Sequence, residues 1–216
     1  MTVSWRVWRR VAKVATLPPE KKDFFGVYIH VPFCVTRCGY CDFNTYTPKE
    51  LGVRDDAPSP VLQYLDAVER ELSRTAERYH LPPADTVFVG GGTPSLVGAQ
   101  GLTRVLNAVR SSMGLSSGAE VTTEANPEST SPEFFSGLRE AGFTRVSLGM
   151  QSASEKVLRV LDRRHTSGRP VAAAQEARRA GFDHVNLDLI YGPPGDVDDD
   201  VKRSVDAVLS ADVDHL

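Results

Sequence analysis

Apolar runs and amphipathic stretches alternate along this chain with little interruption. Five runs read as strands: VYIHV (27–31), DTVFVG (85–90), EVTTEAN (120–126), RVSLGMQ (145–151) and HVNLDLIYG (184–192). A sixth begins near Val213. Between them the hydrophobic period predicts helices at about 60–80, 100–112, 132–141, 154–162, 170–180 and 197–210. Near-continuous apolar strands separated by amphipathic helices indicate α/β architecture around a parallel sheet, either doubly wound or rolled toward a (β/α) barrel. The helix stops agree: Ala-Gly-Phe closes a helix just before a strand at 141–143 and again at 180–182. The polar, proline-rich stretch 47–60 predicts a loop.

Polar residues gather where each strand ends. Cys34 follows the first strand, Gly90, Gly91, Gly92 and Thr93 the second, while Glu124 and Asn126 lie in the third. The fourth ends at Gln151 and the fifth carries Asp188 between apolar neighbours. Ligands bind at the C-terminal strand edge in barrels and open α/β sheets alike. A polar group in a buried strand costs free energy unless it is partnered. Five strands carrying that cost at one end argue for one shared site.

All three cysteines fall within eight residues, in CVTRCGYC: Cys34, Cys38 and Cys41. Three such thiolates can hold three irons of a cubic [4Fe–4S] cluster and leave the fourth iron open to a ligand. A structural zinc site wants four Cys or His donors, usually in two pairs. The five histidines (His30, His80, His165, His184, His215) are scattered and offer no second pair. The spacing favours the cluster and leaves zinc open. An odd count of three speaks against a disulfide framework and for a reducing compartment.

Other signals are weaker singly. GGGTPS (90–95) serves either a tight turn or a ligand cradle, and it is neither a dinucleotide fingerprint nor a P-loop. Arg163, in SEKVLRVLDRR, reads by itself as a solvated helix face. Asp196, Asp198, Asp199 and Asp200 read as the acidic start of a helix and not as a metal cluster.

Composition narrows the class. The chain is 41% hydrophobic and 25% charged, ordinary for a globular protein. A net charge of −3 gives no global attraction to nucleic acid. No apolar run has the length of a membrane span and no signal peptide is visible, so the expected location is cytoplasmic. Residues 1–24 form a basic leader with Arg6, Arg9, Arg10 and Lys13 ahead of any acid. It reads as a poorly ordered terminus; Trp5, Trp8, Ala12 and Ala15 near one helical face allow at most peripheral membrane association.

The ordered motifs YIHVPFCxxxCxYCDF, GGGTPS, EANPE, SLGMQS and NLDLIYGPPG, spread over about residues 25–216, resemble the radical S-adenosylmethionine (SAM) superfamily. More narrowly they resemble its coproporphyrinogen III dehydrogenase-like branch, and within it the HemW-type heme chaperones. The resemblance implies a partial (β/α)6 barrel of parallel strands as one core domain (25–216), truncated in the sixth strand and lacking the family's C-terminal domain. It implies a [4Fe–4S] cluster on Cys34, Cys38 and Cys41, with SAM on its open iron. It places Tyr28 and Tyr40 as cofactor contacts, Gly91, Gly92 and Thr93 as the cradle for the methionine end, and Glu124, Gln151, Arg163 and Asp188 at further SAM-binding positions. The implied cargo is heme, and the implied partners are heme-accepting membrane proteins. Porphyrinogen dehydrogenases of this type carry a fourth cysteine where this chain has Phe43, so the resemblance favours the chaperone over the dehydrogenase.

Overall fold

Each strand of the sheet is laid beside the one before it. The computed structural model describes residues 24–52 and 59–216; the leader up to residue 23, with its expected amphipathic face, and residues 53–58 lie outside the described residues. The strands β1 (Gly26–Val31), β2 (Ala84–Gly91), β3 (Leu115–Ala125), β4 (Arg145–Gln151) and β5 (His184–Leu189) pair in sequential order, every pair parallel. A doubly wound sheet reverses its order at a switch point. Here there is no reversal, which decides between the two architectures left open by the pattern: this is a partial (β/α) barrel. Beyond β5, Asp214 N–H donates to the Val185 carbonyl at 3.1 Å and His215 bridges Asn186 in parallel, where the sixth strand was expected.

Among the described residues, six α-helices follow the strands: α1 (Pro60–Tyr79), α2 (Gly98–Ser112), α3 (Pro132–Ala141), α4 (Glu155–Val160), α5 (Arg169–Arg179) and α6 (Asp198–Ser210). Alternate strand residues, among them Val87, Val89, Val121, Val146, Leu148, Val185 and Leu187, are fully buried in one core with Leu102, Leu106, Phe135, Leu138 and Ala177 from the helices. Each such Val, Leu or Phe side chain contributes about 1.5–3 kcal/mol on burial. The two Ala-Gly-Phe stops work as expected. Gly142 and Gly181 take positive φ (102° and 87°), and Phe143 and Phe182 then turn back into the core. Their N–H groups reach the carbonyls of Leu138 (3.0 Å) and Ala177 (3.2 Å), closing the helix ends.

The period of two sends the other strand residues to the opposite face. One register row runs Tyr28, Phe88, Thr122, Arg145, His184. Nearer the C-terminal edge lie His30 beside Gly90, and Glu124, Ser147 and Asn186 in line. The barrel's inner face is therefore polar, and it becomes more so toward the edge where the loops begin.

Three boundaries depart from the expected pattern. β5 ends at Leu189: Ile190 N–H makes the last ladder bond, to the Gln151 carbonyl (2.9 Å), and two prolines follow Gly192. α4 ends at Val160; Asp162 (φ 49°) turns the chain, so Arg163 stands off the helix. β3 begins earlier, at Leu115, with Gly118 at positive φ and a register shift opposite Ala84 to Thr86. Short 3₁₀ turns at Pro94–Val97 and Pro127–Ser129, invisible to periodicity, lead out of β2 and β3.

Candidate cofactor-binding site

The cysteine loop is the first feature beyond β1, and it is closed on itself. Cys34 N–H donates to the Tyr46 carbonyl (3.1 Å) and Tyr46 N–H to the Pro32 carbonyl (2.7 Å). Cys41 N–H donates to the Cys38 carbonyl at 3.1 Å, a tight turn that draws those two residues together. The Arg37 guanidinium spans the loop to the Thr45 carbonyl and to Glu50 (3.3 Å). His30, on β1, adds an anchor that sequence reasoning missed. Its Nε2–H donates to the Asn44 carbonyl (2.8 Å), and its Nδ1 accepts from Tyr28 Oη–H (3.0 Å).

The glycines of GGGTPS have a third use besides the two expected. A Cβ on Gly90 would stand 3.0 Å from the Glu124 carboxylate, one on Gly91 would stand 2.5 Å from the His30 ring, and one on Gly92 would stand 2.6 Å from the Phe33 carbonyl oxygen. They let the end of β2 lie directly against the cysteine loop and β3. Backbone bonds hold that contact: Gly92 N–H to the Val31 carbonyl and Thr93 N–H to the Phe33 carbonyl, each 2.7 Å. Thr93 Oγ1 donates toward Cys34 Sγ at 3.7 Å, and Gly91 N–H donates to Glu124 Oε2 at 2.9 Å.

A cavity of about 630 Å³ lies at this edge. Cys34, Cys38, Cys41, Tyr40 and Phe43 line it from the cysteine loop; Gly91, Gly92, Thr93, Glu124, Gln151, Arg163 and Asp188 line it from the other strand ends. Every expected site residue is brought together there except Tyr28. Tyr28 lies lower on the inner face, stacked on Phe88 (centroids 6.1 Å apart) and near enough to Glu124 for the carboxylate to raise its pKa beside the larger effect of burial.

Burial sets the electrostatics of the cavity floor. The Glu124 carboxyl is pushed up chiefly by burial, with Asp188 adding to the rise and the Gly91 N–H and His30 opposing it. Asp188 is also raised by burial, against hydrogen bonds from Ser147 Oγ (2.9 Å) and Asn186 Nδ2. Gln151 holds a left-handed backbone (φ 67°), rare for a residue with a side chain, where β4 turns out of the sheet. Arg163 is not the solvated residue its sequence setting suggests. Its guanidinium donates to the Gly149 carbonyl (3.0 Å) and toward Cys38 Sγ (3.5 Å). Asp198, Asp199 and Asp200 start α6, as expected; Asp196 stands ahead of the helix and accepts from Gly192 N–H (2.9 Å), and the cavity includes none of the four.

The donor set fits an iron–sulfur cluster better than a single ion. All three thiols are free and half-buried. Among the described residues, no three His, Cys, Asp or Glu side chains converge on one ion position, as a closed zinc site would require. A cubane asks less of the sulfurs, because each binds a different iron.

The family model of the radical SAM superfamily matches residues 28–208, a span that contains the cysteine loop and all five strand ends. The chain belongs to the radical SAM superfamily. Membership implies the [4Fe–4S] cluster and SAM as cofactors, and the cavity offers free thiols and buried polar groups side by side for them. Among curated proteins, the chain is 58% identical over 200 residues to heme chaperone HemW of Mycobacterium tuberculosis (93% of this chain, 50% of that protein). It is 34% identical over 191 residues to the protein of the same name from Bacillus subtilis (88% and 48%). The chain thus spans about half the length of the curated relatives it matches. Among solved structures, the radical SAM enzyme coproporphyrinogen III oxidase (HemN) of Escherichia coli aligns with a TM-score of 0.77 at 27% identity, over 88% of this chain and 42% of that one. No helix among the described residues is long and apolar enough to cross a membrane.

Proposed function

We propose that this chain is the radical SAM core of a HemW-like heme chaperone, cytoplasmic and at most peripherally membrane-associated through its basic leader. The core domain would take in residues 25–216, with the basic residues 1–24 ahead of it. Cys34, Cys38 and Cys41 would hold the cluster. Gly91, Gly92 and Thr93 would receive the methionine end of SAM, with Tyr40, Glu124, Gln151, Arg163 and Asp188 as further contacts and Tyr28 acting from below. When bound and reduced, the cluster supplies one electron to the sulfonium of SAM. The chain's own residues bind, orient and exclude water. Carboxyls raised by burial at Glu124 and Asp188 favour a protonated or cation-paired state, which suits the ammonium group of an amino acid.

The observation that carries the reading is the convergence of three free thiols with the ends of all five strands on one cavity; the likeness to proteins named heme chaperone supports heme as the cargo. The likeness to HemN favours a second reading, radical oxidative decarboxylation of coproporphyrinogen III. Phe43 speaks against it: the ring lines the cavity and is more than half exposed, and it can neither ligate iron nor act as a thiol. Anaerobic cluster reconstitution followed by titration with heme, then with coproporphyrinogen III plus SAM, separates the two. Saturable heme binding without turnover supports the chaperone; release of carbon dioxide overturns it. Delivery to heme-accepting membrane proteins is then measured as heme transfer to such an acceptor.

A further inference from the structure

Arg163 and His165 lie in the loop that follows α4, where Arg163 reaches across to the cysteine loop. Beyond its bonds to Gly149 and Cys38, Arg163 donates through Nε–H to His165 Nε2 at 3.2 Å. That bond fixes the tautomer: an imidazole accepting at Nε2 carries its proton on Nδ1. Burial, with the neighbouring Arg163 charge, lowers the ring's pKa to about 4, against the pull of Glu128 and the Met150 carbonyl. The ring is therefore a neutral acceptor at ordinary pH.

The loop that carries this pair is itself pinned. Glu128, on the 3₁₀ turn after β3, accepts from Thr166 N–H (2.7 Å) and Thr166 Oγ1–H (3.0 Å). Gly39 N–H, between Cys38 and Cys41, donates to the Leu161 carbonyl at 3.0 Å. A long arginine side chain has many rotamers, and one that is held costs less to order on each bond it makes.

We propose that His165 is a positioning residue: by accepting from Arg163 Nε–H it holds the guanidinium against Cys38, and through that sulfur it sets the reduction potential of the cluster. The inference rests on the cluster reading above. Hydrogen bonds to the sulfurs and local charge tune such potentials; a cationic donor stabilises the more negative, reduced state and so raises the potential.

His165→Gln keeps an acceptor near the place of Nε2, whereas His165→Leu fills the space without one. After anaerobic reconstitution, spectroelectrochemical titration is expected to give wild type and H165Q the same midpoint, with H165L and R163Q both below it. The double variant H165L/R163Q should titrate no lower than R163Q. A wild-type midpoint in H165L, or two shifts that add in the double variant, would overturn the proposal. His165→Asn, too short to reach Arg163, replaces H165L if that variant does not fold. Exchange of the Arg163 Nε–H in the metal-free chain, followed by NMR, decides the same point without iron. Slow exchange in wild type and H165Q with fast exchange in H165L supports the role; equal rates in all three overturn it. A wild-type chain that takes up no iron would remove the cluster reading and leave the exchange rates to judge His165.

Discussion

Gly92 lies so close to Cys34 that a Cβ on it would stand 3.1 Å from the sulfur and 2.6 Å from the Phe33 carbonyl oxygen. The second contact is with backbone, which cannot rotate away. Gly92→Ala should therefore push the cysteine loop off the end of β2 and destabilise the chain by about 1–3 kcal/mol, the usual cost of overpacking. Urea unfolding measures the loss, and iron uptake should fall with it. An unchanged midpoint in both would mean that the loop adapts and the glycine is dispensable.

Cys38→Ala removes one thiol from the set without touching the core. The variant should keep its melting temperature within a few degrees of wild type and lose stable uptake of iron and sulfide, assayed by stoichiometry after anaerobic reconstitution. Four irons per chain in that variant would refute the ligand assignment.

Asp200 ties the start of α6 to α4. Its side chain is only 2% exposed, pairs with Arg203, and meets Lys156 Nζ at 3.0 Å. Hydrogen bonds from Ser154 and Lys156, with Arg203 adding to them, hold its carboxyl well below the usual range. A depressed folded pKa adds stability above the unfolded value, near 3.9, and that stability is lost as pH falls through the lower folded value. Asp200→Asn should lower the melting temperature at pH 7 and flatten this acid limb. A variant whose acid limb matches wild type would show that the pair does not drive it.

Glu124 has the opposite sign. Its folded pKa is raised, so the folded chain holds a proton that the unfolded chain releases. Stability from this group falls as pH rises from the ordinary carboxylate range through the raised value. Glu124→Gln, which can still accept from the Gly91 N–H, should make the metal-free chain more stable at neutral pH and bind SAM more weakly. Equilibrium denaturation at two pH values and a SAM titration test the trade. A less stable variant at pH 7 would contradict the burial argument.

Much of the scaffold was legible because one signal wrote it. Apolar runs bounded by Gly and helical stretches bounded by Ala-Gly-Phe placed β4 at Arg145–Gln151 and α3 at Pro132–Ala141, as observed. The gathering of polar residues at strand ends foresaw the shared cavity, because loops at one edge of a parallel sheet must meet. What periodicity could not convey is contact across loops. Arg163 looked solvated because its partners, Gly149 and Cys38, lie 14 and 125 positions away. His30, His165 and Glu128 gave no local signal; only the fold shows that they brace the loops. The resemblance makes Tyr28 a cofactor contact by motif position; on the inner face it lies one register row below His30 and Glu124, outside the cavity lining.

Strands laid one after another on the same edge let assembly follow the order of synthesis. The cysteines emerge with the first strand, and the arginine that leans on Cys38 follows 125 residues later. N-terminal parts of a chain fold first during translation, at some 5–20 residues per second. For several seconds, then, the nascent chain displays three thiols on a half-built cavity, open to oxidants and to the wrong metal. Cluster loading after β5 is in place would find the site covered, whereas a pause in synthesis would lengthen the exposure of the three thiols.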